Sequence, residues 1–243
     1  MDESSFSRED YILLAKMSQQ TERFEDMVEY VKKFLKTDSE LTPEERALVS
    51  AAYKSLVGNK RAELRVLSAI ELKESKSAND DNASYSKNYK FIIEQELKDV
   101  CQELLDQLEN NMIAHSKSIE SKVFYLKMQG DNLRYLCEFL TDNSYHDSLE
   151  KAQKAYKEGE KLARQHLAPT HPTRLGLMLN LSVFYFEILQ EPKEAIKIAN
   201  TAFEDGISNI DNLNEEDYND CRFILQLLKD NVTLWTQDVS KEE

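Results

Sequence analysis

Glycine, proline and cysteine are scarce in this chain: 243 residues hold 5 Gly, 4 Pro and 3 Cys. So few turn-making residues argue against an all-β or α/β fold of this length and point to an all-α one. Cys101, Cys137 and Cys221 are an odd number, widely spaced and without a CxxC pair. They suggest neither a disulfide framework nor a zinc site, and fit a reducing compartment. No apolar run approaches the roughly 18 residues of a membrane span, and the acidic, polar start Met1-Asp-Glu-Ser-Ser-Phe-Ser-Arg-Glu-Asp10 is unlike a signal peptide. A soluble, cytoplasmic protein without a membrane partner is expected. Positive charge is also short. The net charge of −14 leaves no broad basic stripe for nucleic acid, so any phosphate recognition must be local. The histidines, His115, His146, His166 and His171, form no HExxH or Cys-His pattern, and neither a Gly-rich phosphate loop nor a GxSxG turn is present. No catalytic constellation, metal site or cofactor is expected.

What the chain does have is 41% hydrophobic against 31% charged residues, enough apolar material for a real core. Ser7 with Asp10 three residues on is an N-cap pattern, and Tyr11, Leu14, Ala15 and Met17 follow at helical spacing, so a first helix is expected over 7–20. Phe24, Met27, Val28, Val31, Phe34 and Leu35 mark a second over 24–36. Thr42-Pro-Glu-Glu45 opens a long third, 42–73, with a cap, a proline at the first helical position and a glutamate that closes a capping box. Residues 74–84 are small and polar and are expected as an exposed loop within one domain. Further helices are expected over 85–111, 118–140, 145–165, 172–189, 192–208 and 215–236, with a turn at Thr141-Asp-Asn-Ser144, a boundary at Pro169 and Pro172, and a cap at Asn214. Nine helices with mostly short connections imply antiparallel neighbours in one array, a single domain over 1–236 with a short tail at 237–243. The alanine-rich segments 152–163 and 195–206 have the spacing of tetratricopeptide-like helix pairs, but no period near 34 persists.

On a wheel at 100° per residue, Arg61 and Arg65 each fall within about 20° of Lys54, with Ser50 and Gly58 beside them and Leu48, Ala52 and Leu56 on the far side. A mid-helix glycine costs about 1 kcal/mol relative to alanine, so Gly58 suggests close packing there. On the fifth helix Lys127, Asp131, Arg134 and Glu138 form a polar stripe with Tyr135 next to Arg134. Arginine can fork onto phosphate oxygens, lysine adds a point charge and a tyrosine hydroxyl donates a further bond, which together describe a phosphate clamp. The same pattern is also that of a solvated charged face. On the seventh helix Gly176, Asn180, Val183 and Glu187 share a stripe; on the ninth Ile224, Leu227, Asn231 and Trp235 do, with Leu234 at its margin. Two amides among apolar neighbours could bond the backbone of an extended peptide, or could satisfy helix ends.

Taken in order, Arg46-Ala-Leu-Val-Ser-Ala-Ala-Tyr-Lys54, Val57-Gly-Asn-Lys-Arg61, Val123-Phe-Tyr-Leu-Lys-Met-Gln-Gly-Asp131, Arg134-Tyr-Leu136, Thr170-His-Pro-Thr-Arg-Leu-Gly-Leu177, Asn180-Leu-Ser-Val-Phe184 and Tyr218-Asn-Asp-Cys-Arg-Phe-Ile-Leu-Gln-Leu-Leu-Lys-Asp-Asn-Val-Thr-Leu-Trp235 closely resemble the 14-3-3 family across nearly the whole chain. The resemblance implies nine antiparallel helices forming a cup-shaped protomer with an amphipathic groove. It implies a non-enzymatic adaptor for signal transduction, which dimerises through its first four helices and binds phosphoserine or phosphothreonine segments of client proteins. Carried over by position, Lys54, Arg61, Arg134 and Tyr135 bind the phosphate, and Asn180 and Asn231 bind the ligand backbone. Arg65, Lys127, Leu181, Val183, Glu187, Ile224, Leu227, Leu234 and Trp235 line the groove.

Departures from the family pattern cluster in the dimer region. Glu63-Leu64 stands where the family usually has Ser-Trp, and Ile92 stands opposite Asp26 where the family typically has lysine. The interface pair Arg23 and Glu96 is retained. These five positions, Arg23, Asp26, Glu63, Ile92 and Glu96, imply a homodimer or heterodimer weaker than usual. The eight residues after Trp235 are too few for the long acidic tail that lies over the empty groove in other members. A tetratricopeptide-like scaffold for unphosphorylated tails is the competing reading, and it predicts no dependence on phosphate.

Overall fold

The computed structural model describes residues 6–36, 40–77, 80–210 and 215–242. Among them are nine α-helices and one π-helical turn, and no strand. The fold is all-α, and it divides into two compact units, residues 1–107 and 108–243.

The first unit holds α1 (Arg8–Gln20), α2 (Phe24–Leu35), α3 (Pro43–Lys76) and α4 (Asp80–Gln107). Two of these start on the capping boxes expected from sequence. The Asp10 N–H donates to the Ser7 hydroxyl while Asp10 accepts from the Ser7 N–H at 2.8 Å, and Thr42 and Glu45 exchange bonds in the same way. Each box satisfies backbone donors that a helix start otherwise leaves orphaned. Helix α2 buries Met27, Val28, Val31 and Phe34, one stripe at helical spacing. Helices α3 and α4 run antiparallel, because their cross-links fall in descending order: Tyr53 to Glu103, Lys60 to Glu96, Lys90 to Glu71, Asn82 to Glu74.

That last pair marks a difference from the sequence reading. Helix α3 continues to Lys76 and α4 begins at Asp80, so most of the polar segment 74–84 is helical rather than an exposed loop. Its residues lack apolar periodicity because this end of the hairpin is held by polar contacts along α3, such as Asn82 Nδ2 to Glu74 Oε2 at 3.1 Å.

The second unit holds the π turn Leu108–Ile113 and α5 (Ile119–Cys137), α6 (Asp142–His166), α7 (Pro172–Glu187), α8 (Pro192–Ile207) and α9 (Glu215–Glu242). Helix α5 is its axis, burying Val123, Tyr125, Leu126, Met128, Leu133 and Leu136 and packing against the π turn, α6 and α7. Leu175, Leu177, Met178 and Leu181 of α7 are fully buried beside them, and a buried aliphatic side chain of this kind contributes roughly 1.5–3 kcal/mol. At Gly130 a Cβ would lie 2.8 Å from the Tyr156 ring of α6, so only glycine lets that ring rest on the α5 backbone. Gly159 and Gly206 accept Leu177 and Leu225 in the same way, at 3.3 and 2.6 Å.

Other boundaries differ from the expectations for reasons that can be named. The expected fourth helix over 85–111 changes from α to π hydrogen bonding at Leu108. The expected turn at 141–144 is already the start of α6, with Thr141 as its cap residue. Helix α9 continues past 236 into the expected tail, where Lys241 pairs with Asp238 at 3.2 Å one turn back. The cap at Asn214 and the polar residues 37–39 lie outside the described residues.

Candidate functional site

In the first unit the solvent side of α3 carries the cationic face. Lys54 and Arg65 are exposed, Arg61 is half-buried, and Leu48, Ala52 and Leu56 are turned into the core. Neither Lys54 nor Arg65 has a hydrogen bond or ion pair among the described residues. The close packing expected at Gly58 is not found: a Cβ there would meet nothing within 4 Å. That glycine instead leaves the middle of the cationic face open.

In the second unit the helices α5, α7 and α9 run in the same direction, as their contacts show. The Lys127 side chain passes 3.6 Å from a Cβ built at Gly176, Asp131 meets Asn180, and Arg134 meets Glu187. Leu225 and Leu175 both lie against Gly206, and ten residues further along α9 Trp235 stacks on Phe186 with ring centroids 4.6 Å apart. The stripes of α5 and α7 therefore meet, and α9 lies alongside α7 in the same direction.

Asp131 is the centre of this arrangement. The Tyr156 hydroxyl donates to its Oδ1 at 2.6 Å, the Asn180 amide donates to both carboxylate oxygens at 2.8 Å, and Lys127 Nζ pairs with Oδ2 at 2.8 Å. Burial opposes ionisation of Asp131, but the charges of Lys127 and Arg134 and these donated bonds outweigh it and hold the carboxyl below its usual range. Burial and the neighbouring Asp131 charge push the Tyr156 hydroxyl well above its ordinary value, so it remains a donor.

Arg134 sits one helical turn further on. It is only 7% exposed, its guanidinium lies 4.6 Å over the Tyr135 ring, and Nη1 is 3.2 Å from Glu187 and 3.8 Å from Glu138. Burial works against its charge, yet the neighbouring Tyr156 and then Asp131 keep it above its ordinary value. Its Nε is buried without a hydrogen-bond acceptor among the described residues.

The expected wall residues divide into two groups. Val183, Ile224 and Asn231 are half-buried, and Leu227, Leu234 and Glu187 are exposed, so these are open to a ligand. Leu181, 1% exposed, and Trp235, 4% exposed, are packed in the core of the unit. Trp235 continues the buried stripe of Cys221, Leu225 and Leu228 and supports the wall from behind. Sequence reasoning placed Asp131 only as one member of a stripe and missed Tyr156. A glycine directly before a mid-helix aspartate was the available signal, since it marks a close approach by another element.

The residues assigned to a dimer interface lie in the first unit and several have partners within the chain. Arg23 pairs with Asp26, and Lys60 pairs with both Glu63 at 3.4 Å and Glu96 at 2.7 Å. Ile92 is 51% exposed. Ala62, Glu63, Val66, Leu67, Tyr89 and Ile93 line a cavity of about 380 Å³ between α3 and α4. Cys101, Cys137 and Cys221 are buried free thiols, no group of three or more metal-ligating side chains is found among the described residues, and no described helix is long and apolar enough to cross a membrane.

An all-helical chain whose in-register polar stripe joins a buried cation to an amide and an apolar margin has the features of a protein-binding adaptor. The family model described as 14-3-3 protein matches residues 14–236, and the chain belongs to the 14-3-3 family of adaptors. It is 48% identical over 235 residues to the 14-3-3-like protein GF14 epsilon of Arabidopsis thaliana, covering 97% of this chain and 92% of that one. It is 49% identical over 235 residues to the checkpoint signal transducer rad24 of Schizosaccharomyces pombe, covering 97% and 87%.

Proposed function

We propose that the protein binds phosphoserine- or phosphothreonine-containing segments of client proteins, without catalysing a reaction on them, and acts as a cytoplasmic signalling adaptor. The observation that carries this reading is Arg134, a cation stacked on the Tyr135 ring whose Nη1 faces Glu187, a side chain half-exposed at the edge of the site. A phosphate supplies acceptors for the guanidinium, and forked arginine–phosphate pairing is among the stronger protein hydrogen bonds. Family resemblance assigns Lys54 and Arg61 to the same role. Asn180 and Asn231 bond the ligand backbone, and Val183, Ile224, Leu227 and Leu234 contact its side chains. The relative named as a checkpoint signal transducer fits an adaptor that recognises phosphorylation.

Fluorescence anisotropy of one labelled peptide, with and without phosphate on its serine, tests this reading. Binding of the phosphorylated form is expected to be lost in Arg134→Glu, because the anion then faces a like charge in a desolvated position, and to weaken less in Asn180→Ala. Retention of wild-type affinity in Arg134→Glu would contradict it.

The chain also pairs with a second copy or with another family member through α1 to α4, in a dimer weaker than is usual for the family. Asp26, Glu63 and Glu96 are already engaged by Arg23 and Lys60 of their own chain, and Ile92 offers no charge. A surface ion pair contributes only about 0–1 kcal/mol, so the loss is graded rather than complete. Sedimentation equilibrium is expected to show monomer appearing as the concentration is lowered to the nanomolar range. A dimer that persists at nanomolar concentration would contradict it.

A further inference from the structure

In a chain with a net charge of −14, the solvent side of α6 is a cationic exception. From Lys151 to Arg164, five cations (Lys151, Lys154, Lys157, Lys161 and Arg164) stand against two carboxylates, Glu158 and Glu160. Both carboxylates are already engaged: Glu158 pairs with Lys122 of α5 at 3.1 Å, and Glu160 pairs with Arg164 at 2.8 Å. Lys151, Lys154, Lys157 and Lys161 are exposed, and none has a hydrogen bond or ion pair among the described residues. Asp147 and Glu150, one turn before Lys151 and Lys154, are exposed as well and pair with neither. At 100° per residue the four lysines fall within an arc of about 120°, and Lys154 and Lys161 lie about 140–160° from Tyr156. Tyr156 is the α6 residue that reaches Asp131, so these lysines occupy the far side of the helix from the candidate site.

We propose that this face of α6 is a second docking surface, for an acidic segment of a partner protein, filled independently of the phosphosegment site. From Lys151 to Arg164 the helix rises about 20 Å, the span of roughly six residues of extended chain. Carboxylates on alternate residues of such a chain share one face and can each meet a lysine. One exposed ion pair contributes little, but several along one line add up and steer the approach of the partner. Other polyanions fit this face less well. Among the described residues no large apolar side chain of α6 is exposed. Helices that lie on membranes sink such side chains into the lipid, and single-stranded nucleic acid stacks its bases on aromatic ones. A broad anionic surface would also meet the negative charge of the rest of the molecule, which a narrow segment lying along one helix avoids.

The test uses the whole chain and a labelled, unphosphorylated peptide of about twelve residues in which glutamate alternates with serine, followed by fluorescence anisotropy at low salt. The wild-type protein is expected to bind it, with an affinity that falls as salt is raised. Lys154→Glu combined with Lys161→Glu is expected to weaken binding roughly ten-fold or more. Lys87→Glu combined with Lys98→Glu changes the net charge equally on exposed α4 positions and is expected to cost less than about two-fold. Arg134→Glu is likewise expected to cost less than about two-fold, because the clamp is not used. Equal losses in the two lysine pairs would reduce the effect to net charge, and a large loss in Arg134→Glu would place the peptide at the clamp; either overturns the proposal. Tighter binding of polyuridylate or of phosphatidylserine vesicles than of the peptide, lost in the Lys154/Lys161 pair, would reassign the face and overturn it too. Should that pair fail to fold, carbodiimide coupling of the peptide carboxylates to the wild-type protein still decides. Coupling is expected at Lys151, Lys154, Lys157 or Lys161, located by mass spectrometry, and coupling confined to other lysines overturns the proposal.

Discussion

At the scale of single residues, the second unit depends on a contact that tolerates no extra atom. A methyl at position 130 would enter the Tyr156 ring at 2.8 Å, and that ring cannot swing aside, because its hydroxyl is bonded to Asp131 and its face lies against Phe184 with centroids 5.2 Å apart. Alanine gains about 1 kcal/mol of helix propensity, but overpacking of this kind costs about 1–3 kcal/mol. Gly130→Ala is therefore expected to be destabilised by up to about 2 kcal/mol, read as a lower urea midpoint. Asp131 gives a second prediction, about pH. Its carboxyl titrates lower in the folded than in the unfolded chain, so its contribution is fully present above the unfolded value of about 3.9 and is lost as pH falls through the lower folded value. Asp131→Asn should flatten the loss of stability between pH 4 and the acid transition in thermal melts taken across that range; an unchanged slope would contradict the assignment. Tyr156 could not be placed from sequence, because its bond to Asp131 spans 25 residues between helices, and periodicity reports only which face a residue occupies. The faces that carry Asp131 and Arg134 on α5 and Asn180 and Glu187 on α7 could be read from sequence, because each helix has its own periodicity, and the structure brings these two faces together.

At the scale of elements, local chemistry determined what could be foreseen. The starts of α1 and α3 agree with the sequence reading because a capping box is made entirely of residues within three positions of one another. Thr42→Ala removes the acceptor for the Glu45 N–H and is expected to cost about 1 kcal/mol, measurable by chemical denaturation, with less than 0.5 kcal/mol as the contrary result. The start of α4 and the end of α9 were not legible, because Asp80 to Ser84 and the residues after Trp235 show no apolar stripe. Helix persists there with polar pairs: Asn82 to Glu74 on the neighbouring helix, and Lys241 to Asp238 within α9. Trp235 shows the limit of a wheel drawn for one helix. It lies within about 20° of both Ile224 and Leu228, and only the position of Phe186 decides that the indole turns to the core.

At the scale of the whole molecule, the few cations matter because of the acidic background. A net charge of −14 repels polyanions in general, so under the proposed function recognition falls to particular cations and to a ligand whose backbone and side chains match the rest of the site. The most direct measurement of that claim is the affinity of the wild-type protein for one peptide in two forms, with and without phosphate on serine, at a single ionic strength. A phosphorylated form bound at least a hundred-fold more tightly, about 2.7 kcal/mol, is the predicted result. Equal affinity for the two forms would contradict it.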